Sequence, residues 1–436
     1  MSAVIESARQ ARLAAAALAH LPSEVKNAAL ESIARQLWDR ADEILEANKY
    51  DLAAAHVAVR GGEMSESLFG RLKLDRGKLE ALASGVTEIA TMEDPVGKVT
   101  LAVELDEGLR LYRVACPIGV VAVIFEARPD ALVQIAALCL KSGNAVLLKG
   151  GREAERSNRA LFDVIHTATI EAGVPSAAMT LLESREDVKE ILSAKDYVDL
   201  IVPRGSNELV RYIQGNTAIP VLGHAEGLCH IYVDRAADFD MALKVIIDAK
   251  VQYPAVCNAV ETVLVHREAA PEIMPKLIEE LSSRGVEIRC DEASALAAGI
   301  SGLTRATEED WRTEYCDLTL SIKVVDSLNE AIEHINTYGS RHTDAIITND
   351  AAAWERFFAE VDSAGVFWNA STRFADGHRY GFGAEVGIST GKLHPRGPVG
   401  LEGLLSYKYK LVGAGHTVGE YTGPGGKTFT HKRLQE

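Results

Sequence analysis

The sequence contains few cysteines, no long apolar run and no excess of basic residues. Its six cysteines include no Cys-x-x-Cys pair, which predicts reduced thiols and a cytoplasmic protein. No apolar run reaches the roughly 18 residues that span a bilayer, and Met1–Leu18 lacks the basic-then-apolar order of a secretion signal. The formal net charge of −16 argues against nucleic acid or an anionic membrane as the main partner.

A chain of 436 residues is too long for one compact core, so two or three domains are expected. Apolar residues at helical spacing predict helices through Val25–Leu45 and Leu74–Ile89. The pattern then alternates as in strands over Lys98–Val114, with Asp106-Glu107-Gly108 as a hairpin turn. Strands and helices follow in alternation, which predicts an α/β fold with mostly parallel sheets, in the segments Val120–Phe125, Ala131–Lys141, Ala145–Lys149, Ser157–Ala172, Met179–Leu182, Ile322–Val325, Glu330–Tyr338 and Asp344–Ile347.

Cys257 is the strongest candidate for a nucleophile. It lies beside Pro254, between the amphipathic stretch Asp240–Val251 and the β-branched run Glu261–Val265. A thiol at a helix-to-strand junction can be open on one side and dry on the other, which suits nucleophilic chemistry. The alternative is a small buried hydrophobic residue, the usual role of cysteine in a soluble chain.

Two segments have the features of anion sites. Gly205-Ser206 follows the apolar run Val198–Val202 and precedes the helical pattern Glu208–Ile213, and free amides at such a helix start favour phosphate. Lys149 ends a buried-type strand, at the sheet edge where nucleotides bind. An ordinary loop and a solvated strand end are the respective alternatives.

Two further patterns fail on inspection. His224-Ala-Glu226 followed by Pro254 and Cys257 is similar to a zinc deaminase signature, but the second cysteine is missing and a tetrahedral site would be one ligand short. The segment that ends in Lys427-Thr428 is similar to a phosphate-binding loop, but Tyr421 stands where its first glycine is needed. The sequence therefore predicts no metal site.

Longer motifs resemble one family. Cys116–Pro129, Lys141–Lys149 and the segment around Cys257 match the order of motifs in the aldehyde dehydrogenase superfamily. Finer details resemble the branch that reduces L-glutamyl 5-phosphate, in the segments Phe125–Asp130, Val202–Ser206, Trp368–Phe374, Gly383–Thr390 and His394–Glu402. The resemblance covers essentially the whole chain.

The resemblance implies two Rossmann-type parallel-sheet domains and a small β oligomerisation element. Residues 1–234 would form N-terminal helices and the dinucleotide-binding domain, with the hairpin 98–114 in the oligomerisation element. Residues 235–394 would form the catalytic domain, and residues 395–436 would return to the cofactor domain and supply a C-terminal oligomerisation strand. A homo-oligomer is therefore expected.

The resemblance also implies NADPH-dependent reduction of L-glutamyl 5-phosphate to L-glutamate 5-semialdehyde and phosphate, the second step of proline biosynthesis from glutamate. Cys257 would form a thioester, and the unstable acyl phosphate implies a glutamate kinase as a partner. Aldehyde-oxidising members have an oxyanion-binding asparagine where this chain has Ala127. The neighbouring Arg128 would hold the leaving phosphate or the oxyanion, with a salt bridge to Glu126 or Asp130 as the alternative.

The base that activates water in the oxidising members is also missing. They carry a glutamate before Leu-Gly-Gly, whereas this chain has Val221 before Leu222-Gly223, and Glu226 does not align with that glutamate. Activated water would destroy a thioester that is exchanged with phosphate, so the absence favours a reductase. A hydrolytic NAD(P)-dependent semialdehyde dehydrogenase and a non-catalytic cofactor-binding subunit stay open as alternatives.

The remaining site predictions also come from the resemblance. Lys149 would hold the adenosine ribose, and Arg152 stands where NAD-preferring members often have an acidic residue, which favours NADPH. The pyrophosphate would lie near Gly205 and Ser206, and the nicotinamide ribose near Glu314. The substrate would contact residues whose alternative role is turn stabilisation: Asn369, Ser389, Thr390 and Arg396.

Overall fold

The computed structural model describes residues 2–184, 186–224, 226–300 and 302–434. Its helices are, in chain order, α1 (Ala3–Leu18), α2 (Ser23–Asp39), α3 (Ala41–Arg60), α4 (Glu66–Leu72), α5 (Arg76–Thr91), α6 (Pro129–Lys141), α7 (Glu155–Glu171), α8 (Glu186–Ser193), α9 (Asn207–Gly215), α10 (Phe239–Val251), α11 (Ala270–Ser283), α12 (Glu292–Ala298), α13 (Leu328–Tyr338) and α14 (Ala351–Glu360). Among the described residues, every helix is too short or too polar to cross a lipid bilayer.

The strands alternate with these helices as the sequence predicts. They are β1 (Val99–Asp106), β2 (Leu109–Pro117), β3 (Val120–Phe125), β4 (Ala145–Gly150), β5 (Met179–Leu182), β6 (Leu200–Arg204), β7 (Cys229–Val233), β8 (Val260–His266), β9 (Glu287–Cys290), β10 (Thr304–Arg305), β11 (Thr319–Val325), β12 (Thr343–Ile347), β13 (Gly365–Trp368), β14 (Gly387–Ser389), β15 (Gly397–Val399), β16 (Leu405–Val412) and β17 (Lys432–Arg433).

One compact unit comprises Met1–Gly205, Ile213–Val221 and Gly400–Glu436. It contains a parallel sheet of order β5-β4-β3-β6, in which β3 and β4 are buried along their whole length. Continuous apolar runs of this kind are typical of parallel strands that are covered on both faces. The helices α1 and α6 pack on this sheet.

A separate antiparallel sheet in the same unit has the order β16-β2-β1-β17. The predicted hairpin is confirmed, since β1 and β2 pair in antiparallel register. Gly108 turns the chain between them with a φ of 75°, a conformation that glycine adopts without a steric penalty. The strand β16 pairs with β2 from Leu405 to Val412, which brings the C-terminal segment back to the hairpin.

The other compact unit comprises Ser206–Tyr212 and Leu222–Val399. Its sheet has the order β10-β9-β11-β8-β7-β12-β13, with every pair of neighbours parallel. Buried residues of β7, β8, β11, α10 and α11 form its main core. The strand β7 pairs with β8 and β12 in this sheet, although the sequence assigned residues up to 234 to the cofactor domain.

Candidate functional site

The first group of predicted site residues lies at the carboxyl edge of the β5-β4-β3-β6 sheet. Lys149 is buried near the end of β4, and its Nζ donates a hydrogen bond to the carbonyl oxygen of Gly150. Burial lowers the pKa of Lys149, and the carboxylates of Asp187 and Glu153 oppose that shift. The amine is thus held at the edge where the sequence predicts a cofactor.

A concavity begins at Gly150, the residue after Lys149, and its lining includes Asn158, which sequence reasoning missed. Asn158 is 3% exposed, and its Oδ1 has no hydrogen-bond partner among the described residues. Such an orphaned acceptor suits a hydroxyl donor from a ligand, for example a ribose. A Cβ at Gly150 would lie 2.2 Å from Asn158 Nδ2, so glycine is required there. The concavity is lined by Gly150, Gly151, Arg152, Glu155, Asn158, Leu181, Leu182 and Glu183.

The turn from β3 to α6 carries Arg128. Ala127 before it is buried with a φ of 44°, a left-handed conformation that is costly for a residue with a side chain. The Ala127 amide donates to Glu153 Oε1 at 2.6 Å, which helps to fix this turn. Arg128 Nη2 lies 3.1 Å from Asp130 Oδ2, so one of the two salt bridges weighed as an alternative is present.

The predicted anion loop has the expected geometry. Gly205 follows β6, and Ser206 precedes α9, with its Oγ accepting a hydrogen bond from the Leu209 amide at 3.4 Å. Asn207 Nδ2 donates to Glu314 Oε2 at 3.2 Å. Glu314, predicted to hold the nicotinamide ribose, is therefore tied to the start of α9.

Cys257 lies in the predicted turn between α10 and β8 and is half-buried. Its backbone is contacted closely from the start of β7. A Cβ at Gly227 would lie 2.2 Å from the Cys257 carbonyl oxygen, so glycine is required for this approach. Cys229 Sγ donates to the same carbonyl oxygen at 3.3 Å. The thiol thus stands on a constrained backbone, with one side open.

Two histidines adjoin the Cys257 thiol. One ring nitrogen each of His224 and His342 and the Cys257 Sγ all lie within 4.8 Å of one another. The two rings meet edge to face, with centroids 5.0 Å apart. Sequence reasoning missed His342 because this residue lies in no recognised motif. His342 comes directly before β12, and it lies near Cys257 because β12 pairs with β7.

A buried arginine supports the residue next to Cys257. Arg373 is 7% exposed, and its Nε and Nη2 donate to Gln252 Oε1 at 3.1 and 2.9 Å, while Nη1 donates to Asn258 Oδ1. Burial and the nearby Arg379 lower the pKa of Arg373, and the carboxylate of Asp376 opposes that shift. Arg373 lies in the Trp368–Phe374 motif, which was the available signal for it.

Two of the predicted substrate contacts adjoin this cluster. Ser389 is buried at the end of β14 and precedes the half-buried Thr390. The backbone oxygen of the preceding residue, Ile388, lies 2.9 Å from His224 Nδ1, which ties this loop to the histidine beside Cys257.

Arg396, the third predicted substrate contact, pairs with Asp362. Its Nη2 lies 3.0 Å from Asp362 Oδ1, and Lys392 Nζ lies 2.9 Å and Arg341 Nε 3.8 Å from Asp362 Oδ2. Lys392 and Arg396 hold the pKa of Asp362 below its usual range. Three cations around one carboxylate leave a net positive charge in this cluster.

Asn369 lies elsewhere. Its Oδ1 accepts from the Thr348 amide at 2.9 Å, and its Nδ2 donates to the Thr348 carbonyl oxygen at 3.0 Å. Thr348 follows β12 whereas His342 precedes it, so the two lie at opposite ends of a strand, roughly 20 Å apart. The structure therefore places Asn369 at the sheet edge opposite Cys257, where it joins the ends of two strands and does not face the nucleophile.

Comparison with known proteins identifies the family. Residues 2–311 match the aldehyde dehydrogenase family. The chain belongs to this family. It is accordingly an oxidoreductase, and its α/β fold with parallel sheets is confirmed.

The most informative relatives match over nearly their whole length. The chain is 55% identical to the gamma-glutamyl phosphate reductase of Acetivibrio thermocellus, over 99% of each chain. A crystal structure of gamma-glutamyl phosphate reductase from Thermotoga maritima is 40% identical, with a TM-score of 0.91, over 95% of this chain and 100% of that one. A glyceraldehyde-3-phosphate dehydrogenase from Methanocaldococcus jannaschii, solved with NADP, shares the fold at 17% identity and a TM-score of 0.67, over 94% of each chain.

Proposed function

We propose that this chain reduces L-glutamyl 5-phosphate to L-glutamate 5-semialdehyde and phosphate with NADPH, the second step of proline biosynthesis from glutamate. The observation that carries the proposal is the half-buried Cys257 on a constrained turn, in a chain 55% identical over its whole length to a gamma-glutamyl phosphate reductase.

The chemistry follows from the thiolate. Cys257 Sγ attacks the acyl carbon, the bond from carbon to the phosphate oxygen breaks, and phosphate leaves with its electron pair. The oxyanion formed during attack needs preorganised donors, and the Cys257 backbone amide would be the first of them. Bound NADPH supplies the hydride that reduces the thioester carbonyl. Collapse of the resulting thiohemiacetal releases the aldehyde and restores the thiolate.

The segment from Val221 to Glu226 favours a thioester that is not hydrolysed. Val221, Leu222 and Gly223 offer no carboxylate, and Glu226 is paired with Arg211. Without the carboxylate that activates water in the oxidising members, phosphate is the favoured nucleophile for attack on the thioester in the reverse direction. This supports the acyl-phosphate reaction over a hydrolytic dehydrogenase.

The cofactor would be held by Lys149, Asn158 and Arg152. The orphaned Asn158 Oδ1, on a side chain that contacts Gly150, suits a ribose hydroxyl, and the exposed guanidinium of Arg152 suits a 2′-phosphate. Arg152→Glu should therefore lower the ratio of kcat/KM for NADPH to that for NADH by roughly tenfold or more. Arg35→Glu, on the exposed face of α2, is the matched control. An unchanged ratio in Arg152→Glu would refute the NADPH preference.

The substrate would be anchored by the loop of Ser389 and Thr390 and by Arg396. Hydroxyl groups suit the α-ammonium of the glutamyl group, and the net positive cluster around Asp362 suits its α-carboxylate. Arg128 would hold the leaving phosphate, so Arg128→Ala should raise KM for phosphate in the reverse reaction. An unchanged phosphate dependence would refute that role.

The antiparallel sheet would pair with a second copy of this chain. Its edge strand β16 exposes Tyr407, Tyr409 and Leu411, and an apolar edge of this kind invites strand pairing. A cytoplasmic location and a glutamate kinase partner complete the proposal. They rest on the reduced cysteines and on the short life of an acyl phosphate.

The deciding experiment is NADP reduction with glutamate 5-semialdehyde, with and without inorganic phosphate. We expect phosphate-dependent turnover that Cys257→Ala abolishes and that Cys316→Ala, at an exposed cysteine, leaves intact. Turnover without phosphate would identify a hydrolytic dehydrogenase, and no turnover in the wild type would refute the substrate assignment.

A further inference from the structure

The cluster of Cys257, His224 and His342 has the composition of a metal site. Thiolate and imidazole are the ligands that Zn²⁺ prefers, and sites open to substrate or water use three protein ligands. The three candidate ligand atoms lie within 4.8 Å of one another. Ligand atoms around a tetrahedral Zn²⁺ are about 3.4–3.6 Å apart, so the side chains would close in by about 1 Å.

The hydrogen bonds of both histidines favour ligation. His224 Nδ1 lies 2.9 Å from the Ile388 backbone oxygen, and an N–H there leaves the lone pair of the neutral ring on Nε2. His342 is 1% exposed; its Nδ1 lies 3.0 Å from Thr343 Oγ1 and 3.6 Å from Cys229 Sγ, and its Nε2 has no hydrogen-bond partner among the described residues. An unpartnered, buried ring nitrogen on one of the three candidate ligands is the second, independent sign of a ligand.

We propose that His224, Cys257 and His342 form a site for a thiophilic divalent cation such as Zn²⁺, which blocks the nucleophile reversibly. The cation would displace the thiol proton to solvent, bind Sγ and one nitrogen of each ring, and take water as its fourth ligand on the open side of Cys257. Reactivity would return when a chelator removes the ion. The sequence pattern around His224 lacked a third ligand, and His342 supplies it.

Protection of Cys257 against iodoacetamide tests this site without any turnover. In the wild type, micromolar Zn²⁺ should slow alkylation of Cys257, read by peptide mass spectrometry, at least tenfold. The same concentration of Mg²⁺, which prefers oxygen ligands, should have no effect. Alkylation of the exposed Cys316, read in the same sample, should change much less. Failure of Zn²⁺ to protect Cys257 in the wild type would overturn the proposal.

The histidine variants separate a three-ligand site from a lone thiol. His224→Gln and His342→Gln should each raise the Zn²⁺ concentration for half-protection at least tenfold, and His20→Gln, at an exposed histidine of the other unit, should not. Rates are compared with and without Zn²⁺ for each variant, so a change in intrinsic thiol reactivity cancels. Unchanged protection in His224→Gln would show that His224 is not a ligand and would refute the three-ligand site.

A spectroscopic readout covers the case in which the buried His342→Gln fails to fold. Co²⁺ added to the wild type should give thiolate-to-cobalt charge transfer and the strong visible bands of a tetrahedral site. Both signals should be lost in Cys257→Ser and weakened in His224→Gln. Weak octahedral bands in the wild type would contradict the proposal.

Discussion

The two parallel sheets carry their candidate functional residues at opposite ends of the strands. In the β5-β4-β3-β6 sheet, Lys149, Arg128 and Gly205 lie at or just beyond the carboxyl ends of strands. In the other sheet, Cys257 and His342 precede β8 and β12 at the amino edge. Helices start at a carboxyl edge and favour anions there, which suits a dinucleotide. At the amino edge, the candidate nucleophile is supported by side chains and by close backbone contact.

The largest expected effect comes from disturbing the close backbone contact between Gly227 and Cys257. Gly227→Ala would place a Cβ 2.2 Å from the Cys257 carbonyl oxygen, so the turn must shift. A displacement of about 1 Å at a reacting atom costs about 10²-fold in rate, and we expect kcat to fall by at least that factor.

The matched control for this change is Gly85→Ala. Gly85 lies in α5 with no atom within 4 Å of an added Cβ, so alanine should stabilise the helix by about 0.5–1 kcal/mol. Steady-state kinetics and urea unfolding measure both variants. A Gly227→Ala enzyme with wild-type kcat would show that the backbone contact does not position the nucleophile.

The next effect concerns Arg373, which we infer to be a positioning residue. Arg373→Lys keeps the charge but cannot donate to Gln252 and Asn258 together, and we expect kcat to fall by roughly 10- to 100-fold. The rate of Cys257 alkylation should also fall across its pH profile, which a purely structural role would not require. Arg356→Lys, at an exposed arginine of α14, should change neither rate by more than about twofold.

Lys149→Met tests the candidate cofactor residue of the β5-β4-β3-β6 sheet separately from Cys257. Loss of one charge-assisted hydrogen bond to the cofactor should raise KM for NADPH by roughly tenfold. Alkylation of Cys257 in the absence of cofactor should stay at the wild-type rate, because Lys149 belongs to the other compact unit. A change in that alkylation rate would show that the two regions are not independent.

The last effect is on stability in acid and does not involve activity. Burial, with a smaller effect of His230, lowers the pKa of His334 to about 2, so the folded protein keeps this ring neutral while the unfolded chain protonates it below about pH 6.5. His334 therefore contributes stability above pH 6.5 that is lost as the pH falls. His334→Phe should remove about 2 kcal/mol of the decline in unfolding free energy between pH 6.5 and pH 5.

Urea unfolding at the two pH values measures this difference. His20→Phe, at an exposed histidine, is the control and should keep the wild-type decline. An unchanged decline in His334→Phe would show that another group controls the acid sensitivity of the fold.

Much of the fold was predictable because it follows local rules. Hydrophobic periodicity predicted the hairpin β1–β2, the strands β3 and β4, and the helix α13, and the structure confirms all of them. The helical spacing through Val25–Leu45 is confirmed as two helices, α2 and α3, which meet at Arg40. The position of β7 depends on strand order, which no local pattern contains.

Site residues were predictable only where they lie in a recognisable local sequence pattern. The position of Cys257 in a turn between helix and strand is confirmed, and the glycine turn before α9 has the predicted geometry. Asn158, His342 and Arg373 were missed because their roles depend on contacts between residues far apart in the chain. Asn369 lies in the motif Trp368–Phe374, but its side chain makes hydrogen bonds to the backbone of Thr348.

The return of the C-terminal segment to β2 has a consequence for synthesis on the ribosome. The strand β16 pairs with β2 from Pro117 to Arg110, but it emerges about 290 residues after β2. At about 5–20 residues per second, the nascent chain carries the unpaired edge of β2 for roughly 15–60 s. A stalled or truncated chain that ends before Leu405 keeps that edge exposed permanently, and such edges recruit strands from other chains. We therefore expect chains that end before β16 to aggregate more readily than the full-length chain.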